Sequence, residues 1–114
     1  MNLSYESVGQ QAVTFAAQSG VNAGTVCGIC ANDTVGKLSA GDAFCGYVLD
    51  VAKDGAACVV LHGYVQLPYS GDAPALGWSG LCADGSGGVK ANDTGKSYLV
   101  IHVDTADGTV GFFL

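Results

Sequence analysis

Tyr98-Leu99-Val100-Ile101-His102-Val103-Asp104 and Thr109-Val110-Gly111-Phe112-Phe113-Leu114 stand on either side of Thr105-Ala106-Asp107-Gly108. In the first run Leu99, Ile101 and Val103 alternate with Val100, His102 and Asp104. A period of two places successive side chains on opposite faces of a half-buried strand. Asp-Gly between two such runs signals a hairpin, because both central residues of a type I′ turn need positive φ. The same grammar recurs upstream. Across 43–51, Phe44, Gly46 and Val48 oppose Cys45, Tyr47, Leu49 and Val51, and Asp54-Gly55 follows. Across 58–67, Val59, Leu61, Gly63, Val65 and Leu67 share one parity, while Cys58, Val60, His62, Tyr64 and Gln66 form the more polar one. Pro68 closes that run, having no N–H for a sheet ladder. Asp84-Gly85-Ser86-Gly87-Gly88 marks another tight connection. Residues 10–18 fit either a strand through Val13, Phe15 and Ala17 or a short helix through Ala12, Val13, Ala16 and Ala17. The Val-Thr-Phe centre favours strand. These signals predict an all-β chain of about eight or nine short strands, a small β-barrel or β-sandwich.

Composition narrows the function classes. The 114 residues make one domain by length. Apolar residues are 49% and charged residues 12%, about half the usual charged share. The chain is therefore too apolar for a disordered tail. Its longest apolar run, Ala56-Ala57-Cys58-Val59-Val60-Leu61, is far short of the roughly 20 residues a membrane-spanning helix needs. With four lysines, no arginine and a net charge of −6, it lacks the cations that dominate nucleic-acid binding. So small a domain cannot bury all its apolar surface alone. A glycine-rich monomer and a subunit that covers its surface with copies or a partner both fit, and the shortage of charge favours the assembly. Met1-Asn2-Leu3-Ser4-Tyr5-Glu6-Ser7 has neither the basic nor the apolar region of a secretory signal, so the expectation is a reducing compartment and free thiols. Five cysteines, an odd number, exclude a fully paired internal framework. The sequons at Asn2, Asn32 and Asn92 then read as turn sequences.

Few residues suggest chemistry. Cys27-Gly28-Ile29-Cys30 is half of a zinc or redox motif, but no second pair accompanies it. On a strand, positions i and i+3 also face opposite ways. Buried structural cysteine is the favoured expectation. His62 and His102 stand in mid-strand without a legible nucleophile. Gly77-Trp78-Ser79-Gly80-Leu81 misses the nucleophile elbow at Leu81, and Gly95-Lys96-Ser97 lacks the first glycine of a phosphate loop at Lys90. Asp42, Asp54, Asp72, Asp84, Asp93 and Asp107 fall one per turn rather than in pairs. The expectation is a non-enzyme with no cofactor and no metal. Tyr64, Pro68, Tyr69 and Trp78 cluster around the connection at 67–80 and suit either an interface core or closure of the barrel end. Ala31-Asn32-Asp33-Thr34 recurs as Ala91-Asn92-Asp93-Thr94, too thin an echo for a repeat architecture and better explained by two similar turns.

The order of elements carries a resemblance. Gly41-Asp42-Ala43-Phe44 leads into a run, then Gly55, then Leu61-His62-Gly63-Tyr64-Val65-Gln66-Leu67-Pro68. Ser70-Gly71, Gly77, Leu81-Cys82-Ala83-Asp84-Gly85 and the late pair of runs follow. From Gly41 to Leu114 this resembles the capsid decoration, or cement, proteins of tailed bacteriophages. The resemblance implies a β-barrel-like core at 41–114, with residues 1–40 supplying first strands and an N-terminal arm onto the shell. It also implies a homotrimer on the outside of the virion head, assembled in the host cytoplasm, with the major capsid protein as partner and neither membrane nor nucleic acid involved. Five cysteines depart from that pattern. A β-sandwich module binding carbohydrate or a cell surface, on a phage fibre or bacterial appendage, is the alternative, favoured if Trp78 and Tyr69 share one rim.

Overall fold

The computed structural model describes residues 11–114, which hold ten strands and no helix. The strands are β1 (Gln11–Ala17), β2 (Val26–Ala31), β3 (Thr34–Gly36), β4 (Gly46–Val51), β5 (Ala56–His62), β6 (Tyr64–Ser70), β7 (Gly77–Ala83), β8 (Val89–Ala91), β9 (Lys96–Asp104) and β10 (Thr109–Phe113). The chain is all-β, and the strand preference of residues 10–18 is realised in β1 for the described part.

The strands close into two five-stranded barrels, ordered β1-β3-β2-β4-β5 and β10-β6-β8-β7-β9. Each barrel is built the same way. Its first strand runs parallel to its third (Ala17 opposite Val35; Tyr69 opposite Val89) and antiparallel to its fifth. The second half thus repeats the first about 50 residues on, a short structural period that the sequence does not announce. The Ala-Asn-Asp-Thr echo is unrelated to it: Asn32-Asp33 turns from β2 to β3, whereas Asn92-Asp93 turns from β8 to β9.

Period two sorts the side chains. Cys27, Val35, Val48, Ala57 and Val59 fill the first barrel. Val65, Leu67, Leu81, Val89, Val100, Val110 and Phe112 fill the second. Val26 and Val60, one residue out of phase with Cys27 and Val59, point out of the first barrel and are buried in the second cluster. Phe44 joins them there, stacked on Tyr98 with ring centroids 5.0 Å apart. The two barrels therefore share apolar burial, worth about 1.5–3 kcal/mol for each large side chain enclosed. Backbone bonds fasten the joint: Val26 N–H donates to Gly87 at 2.9 Å, Gly41 to Ala83 at 2.9 Å, and Ala83 to Asp42 at 2.8 Å.

The structure corrects several expectations. The count rises to ten because three-residue strands β3 and β8 are too short to show alternation, and because 58–67 is two strands broken at Gly63, whose φ is +123°. Pro68 lies inside β6 rather than closing it. Tyr69 N–H points to β10, bonding Gly108 at 3.0 Å, so position 68 faces the β8 side, where pairing begins only at Tyr69. Only the glycine of each Asp-Gly takes positive φ, so neither turn is type I′. In the first, Gly55 N–H bonds Ala52 at 3.0 Å and the glycine supplies the left-handed closing residue of a longer loop. Residues 11–40 contribute β1, β2 and β3 to the first barrel, and the part of the expected arm at 1–10 lies outside the described residues.

Candidate functional site

The outer face of the second barrel carries an apolar row across four strands. Trp78 on β7 is opposite Leu99 on β9, Leu99 opposite Phe113 on β10, and Phe113 opposite Tyr64 on β6. Directly opposed residues share a face of the sheet. Phe113 and Tyr64 meet edge to face at 5.6 Å. Trp78 is 75% exposed, and Leu76, in the loop before it, is 67% exposed. The matching row of the first barrel runs Val26, Tyr47, Val60, Ala12. Its centre is the surface packed against the second barrel. The fold thus uses this row once internally and presents its counterpart outward at Trp78.

Of the aromatic cluster read from the sequence, Tyr64 and Trp78 fall at the two ends of this row, with β9 and β10 between them. Pro68 is exposed on the same parity of β6 as Tyr64, beside Thr109 of β10. Tyr69 has the opposite parity and packs against the core of the second barrel. It does not share a rim with Trp78.

A second constellation lies where the barrels meet. Phe44, Cys45, Leu61, His62, Lys96, Tyr98 and Leu114 line a depression of about 340 Å³. β2 and β4 are neighbours, with Cys27 opposite Gly46, so Cys45 is one step off register from Cys27. Its N–H donates to the Cys27 carbonyl at 2.9 Å. The Cys27 thiol lies 3.8 Å from the Gly46 carbonyl oxygen, to which it donates. Hydrogen bonding from Cys27 favours the Cys45 thiolate and brings Cys45 down to about 7 against the opposing effect of burial. The same bond, reinforced by burial, pushes Cys27 far up, so Cys27 keeps its proton. Burial also raises the Tyr98 phenol, and negative charge at Cys45 adds to that rise. Lys96 Nζ sits 5.4 Å from the Tyr98 ring centroid, within reach of a cation–π contact.

The Cys-x-x-Cys sulfurs diverge, as the strand geometry requires. Cys27 faces the first core, while Cys30 is exposed and lies 3.6 Å from the Thr34 carbonyl. All five thiols are free. Pairing of β2 with β4 brings Cys45 beside Cys27 from outside any local motif.

Comparison of the chain with protein-family models and with curated proteins gives no match.

Proposed function

We propose that the protein is a structural, non-catalytic subunit of a virion that binds the outside of a tailed-bacteriophage head and stabilises the shell, as a homotrimer. The observation that supports this reading best is the exposed Trp78–Leu76 edge on a closed double barrel. Aromatic anchors on a rigid scaffold are what contact proteins use, because the ordering entropy on docking is small. The partner is the major capsid protein, met on the capsid exterior, with neither nucleic acid nor membrane involved. Many modest contacts, each bridging neighbouring shell subunits, together resist the pressure of packaged DNA. A carbohydrate-binding module is disfavoured, since Tyr69 is packed inward and leaves Trp78 without its neighbour on the rim.

The test compares heads carrying the protein, heads lacking it, and heads offered the Trp78→Ala variant. Bound protein should raise the temperature at which DNA is released, and the variant should co-sediment less. Equal release temperatures with full occupancy would reject the reading, as would a chain that remains monomeric and fails to co-sediment.

A further inference from the structure

We propose that Cys45 and Cys27 form a reversible dithiol switch, in which a hydroperoxide oxidises Cys45 through the inter-barrel depression and Cys27 resolves it as an intrachain disulfide. Three features of the fold converge on this pair. Cys27 lies on β2 and Cys45 immediately precedes its neighbour β4, with the Cys45 amide 2.9 Å from the Cys27 carbonyl oxygen and Cys45 packed against the core cluster that holds Cys27. Access is asymmetric: Cys27 is 0% exposed, whereas Cys45 is half-buried and opens into the depression. The wall of that depression also carries Lys96 and His62, both exposed, and Tyr98.

The electrostatics fit the same division of labour. The attacking species in thiol oxidation is the thiolate, and a thiol near pH 7 combines ample thiolate with good nucleophilicity. Cys45, held at about 7 by the hydrogen bond from Cys27, meets that requirement, while Cys27 stays protonated until called on. In the first step the Cys45 thiolate attacks the terminal oxygen of the hydroperoxide. An S–O bond forms, the O–O bond breaks, and the alkoxide or hydroxide leaves with a proton from solvent, giving a sulfenic acid. In the second step the Cys27 sulfur attacks the Cys45 sulfur. An S–S bond forms, the S–O bond breaks, and the leaving hydroxide takes the Cys27 proton away as water. Two thiols and one hydroperoxide become one disulfide, one alcohol (water, for hydrogen peroxide itself) and one water, and a dithiol reductant reverses the change. The other thiols stand outside this geometry. Cys30 points away from the first core, and no hydrogen bond or electrostatic contact ties Cys58 or Cys82 to the pair.

The experiment oxidises the full chain with hydrogen peroxide, then digests it with trypsin and analyses the peptides by mass. Lys37 separates the two residues, so the switch yields peptide 1–37 linked to peptide 38–53. Because Cys30 shares the first peptide, the same digest is run on Cys30→Ser, where the link should persist, and on Cys27→Ser, where it should vanish. In Cys27→Ser the intermediate should accumulate and be trapped at Cys45 by a cyclic 1,3-diketone. Iodoacetamide labelling of Cys45 in the untreated chain should have its midpoint near pH 7, falling away below it, and Cys27→Ala should move that midpoint upward toward an ordinary thiol. Far-ultraviolet circular dichroism checks that each variant keeps its strands. A link that survives Cys27→Ser but not Cys30→Ser would overturn the proposal. So would oxidation of Cys58 or Cys82 ahead of Cys45, or a Cys45 that takes up oxygen without ever forming the link.

Discussion

Phe44 is the residue whose loss should reveal how the two barrels are joined. It precedes β4 in the first half of the chain, yet it is buried with the core of the second barrel, 5.0 Å from the Tyr98 ring and 6.0 Å from the Phe112 ring. Phe44→Ala removes a whole buried ring, which costs about 3–5 kcal/mol in a core that relaxes only partly. The two ring contacts account for about 1–3 kcal/mol of that loss. The bond from the Tyr98 hydroxyl to the Phe44 carbonyl, at 3.4 Å, survives the substitution because it uses the backbone. Phe44→Leu keeps most of the apolar burial and should forfeit little beyond the ring-contact share. With a urea slope of about 2 kcal/mol/M, the alanine variant should unfold about 2 M earlier. The assay is urea titration followed by circular dichroism and by pulsed labelling of two buried thiols, Cys27 in the first barrel and Cys82 in the second. In the unaltered chain both should become reactive at one urea concentration, since the barrels share a core. A Phe44→Ala cost below about 1 kcal/mol would refute the shared-core argument. Separate exposure of Cys27 and Cys82 in the unaltered chain would refute it as well.

Two further substitutions probe the barrels singly. At Gly46 an added Cβ would lie 2.6 Å from the Val59 Cγ1 and 2.6 Å from the Val60 carbonyl oxygen, so Gly46→Ala should cost about 1–3 kcal/mol and lower the melting temperature; an unchanged melting temperature would show that β4 and β5 can move apart. Asp84 anchors the loop between β7 and β8, its carboxylate accepting from Ser86 N–H at 2.7 Å, Gly88 N–H at 3.1 Å and the Ser70 hydroxyl at 2.7 Å. Asp84→Ala should cost about 2–4 kcal/mol by urea titration, and a loss under about 0.5 kcal/mol would mean that the glycines alone hold the loop.

What the sequence disclosed was local. Alternation in β4, β5, β6 and β9, and glycine at the turns, identified strands because both signals are confined to a few neighbouring residues. Ring closure was hidden, since the parallel pairs β1–β3 and β6–β8 join segments well separated along the chain through strands of only three residues. The duplication was hidden too, because equivalent positions such as Val26 and Trp78, or Tyr47 and Leu99, agree in being apolar and in nothing else. Parity alone could have separated Tyr69 from Tyr64, which stand an odd number of residues apart on one strand. No local pattern could have joined Cys27 to Cys45, whose proximity depends on the register of β2 against β4.

Gly63 is the whole of the connection between β5 and β6, and its carbonyl also accepts the N–H of Leu114 at 2.9 Å. Two separate half-chains would have to find one another, and the translational and rotational freedom lost in doing so costs on the order of 4–15 kcal/mol. A one-residue tether removes that search. Each barrel meets its mate at an effective concentration of about millimolar or above, whatever the dilution of the protein. The joint around Phe44, Val26 and Val60 can therefore stay small and remain closed at every concentration, and the outward row at Trp78 is left as the part of the molecule whose occupancy depends on how much partner is present.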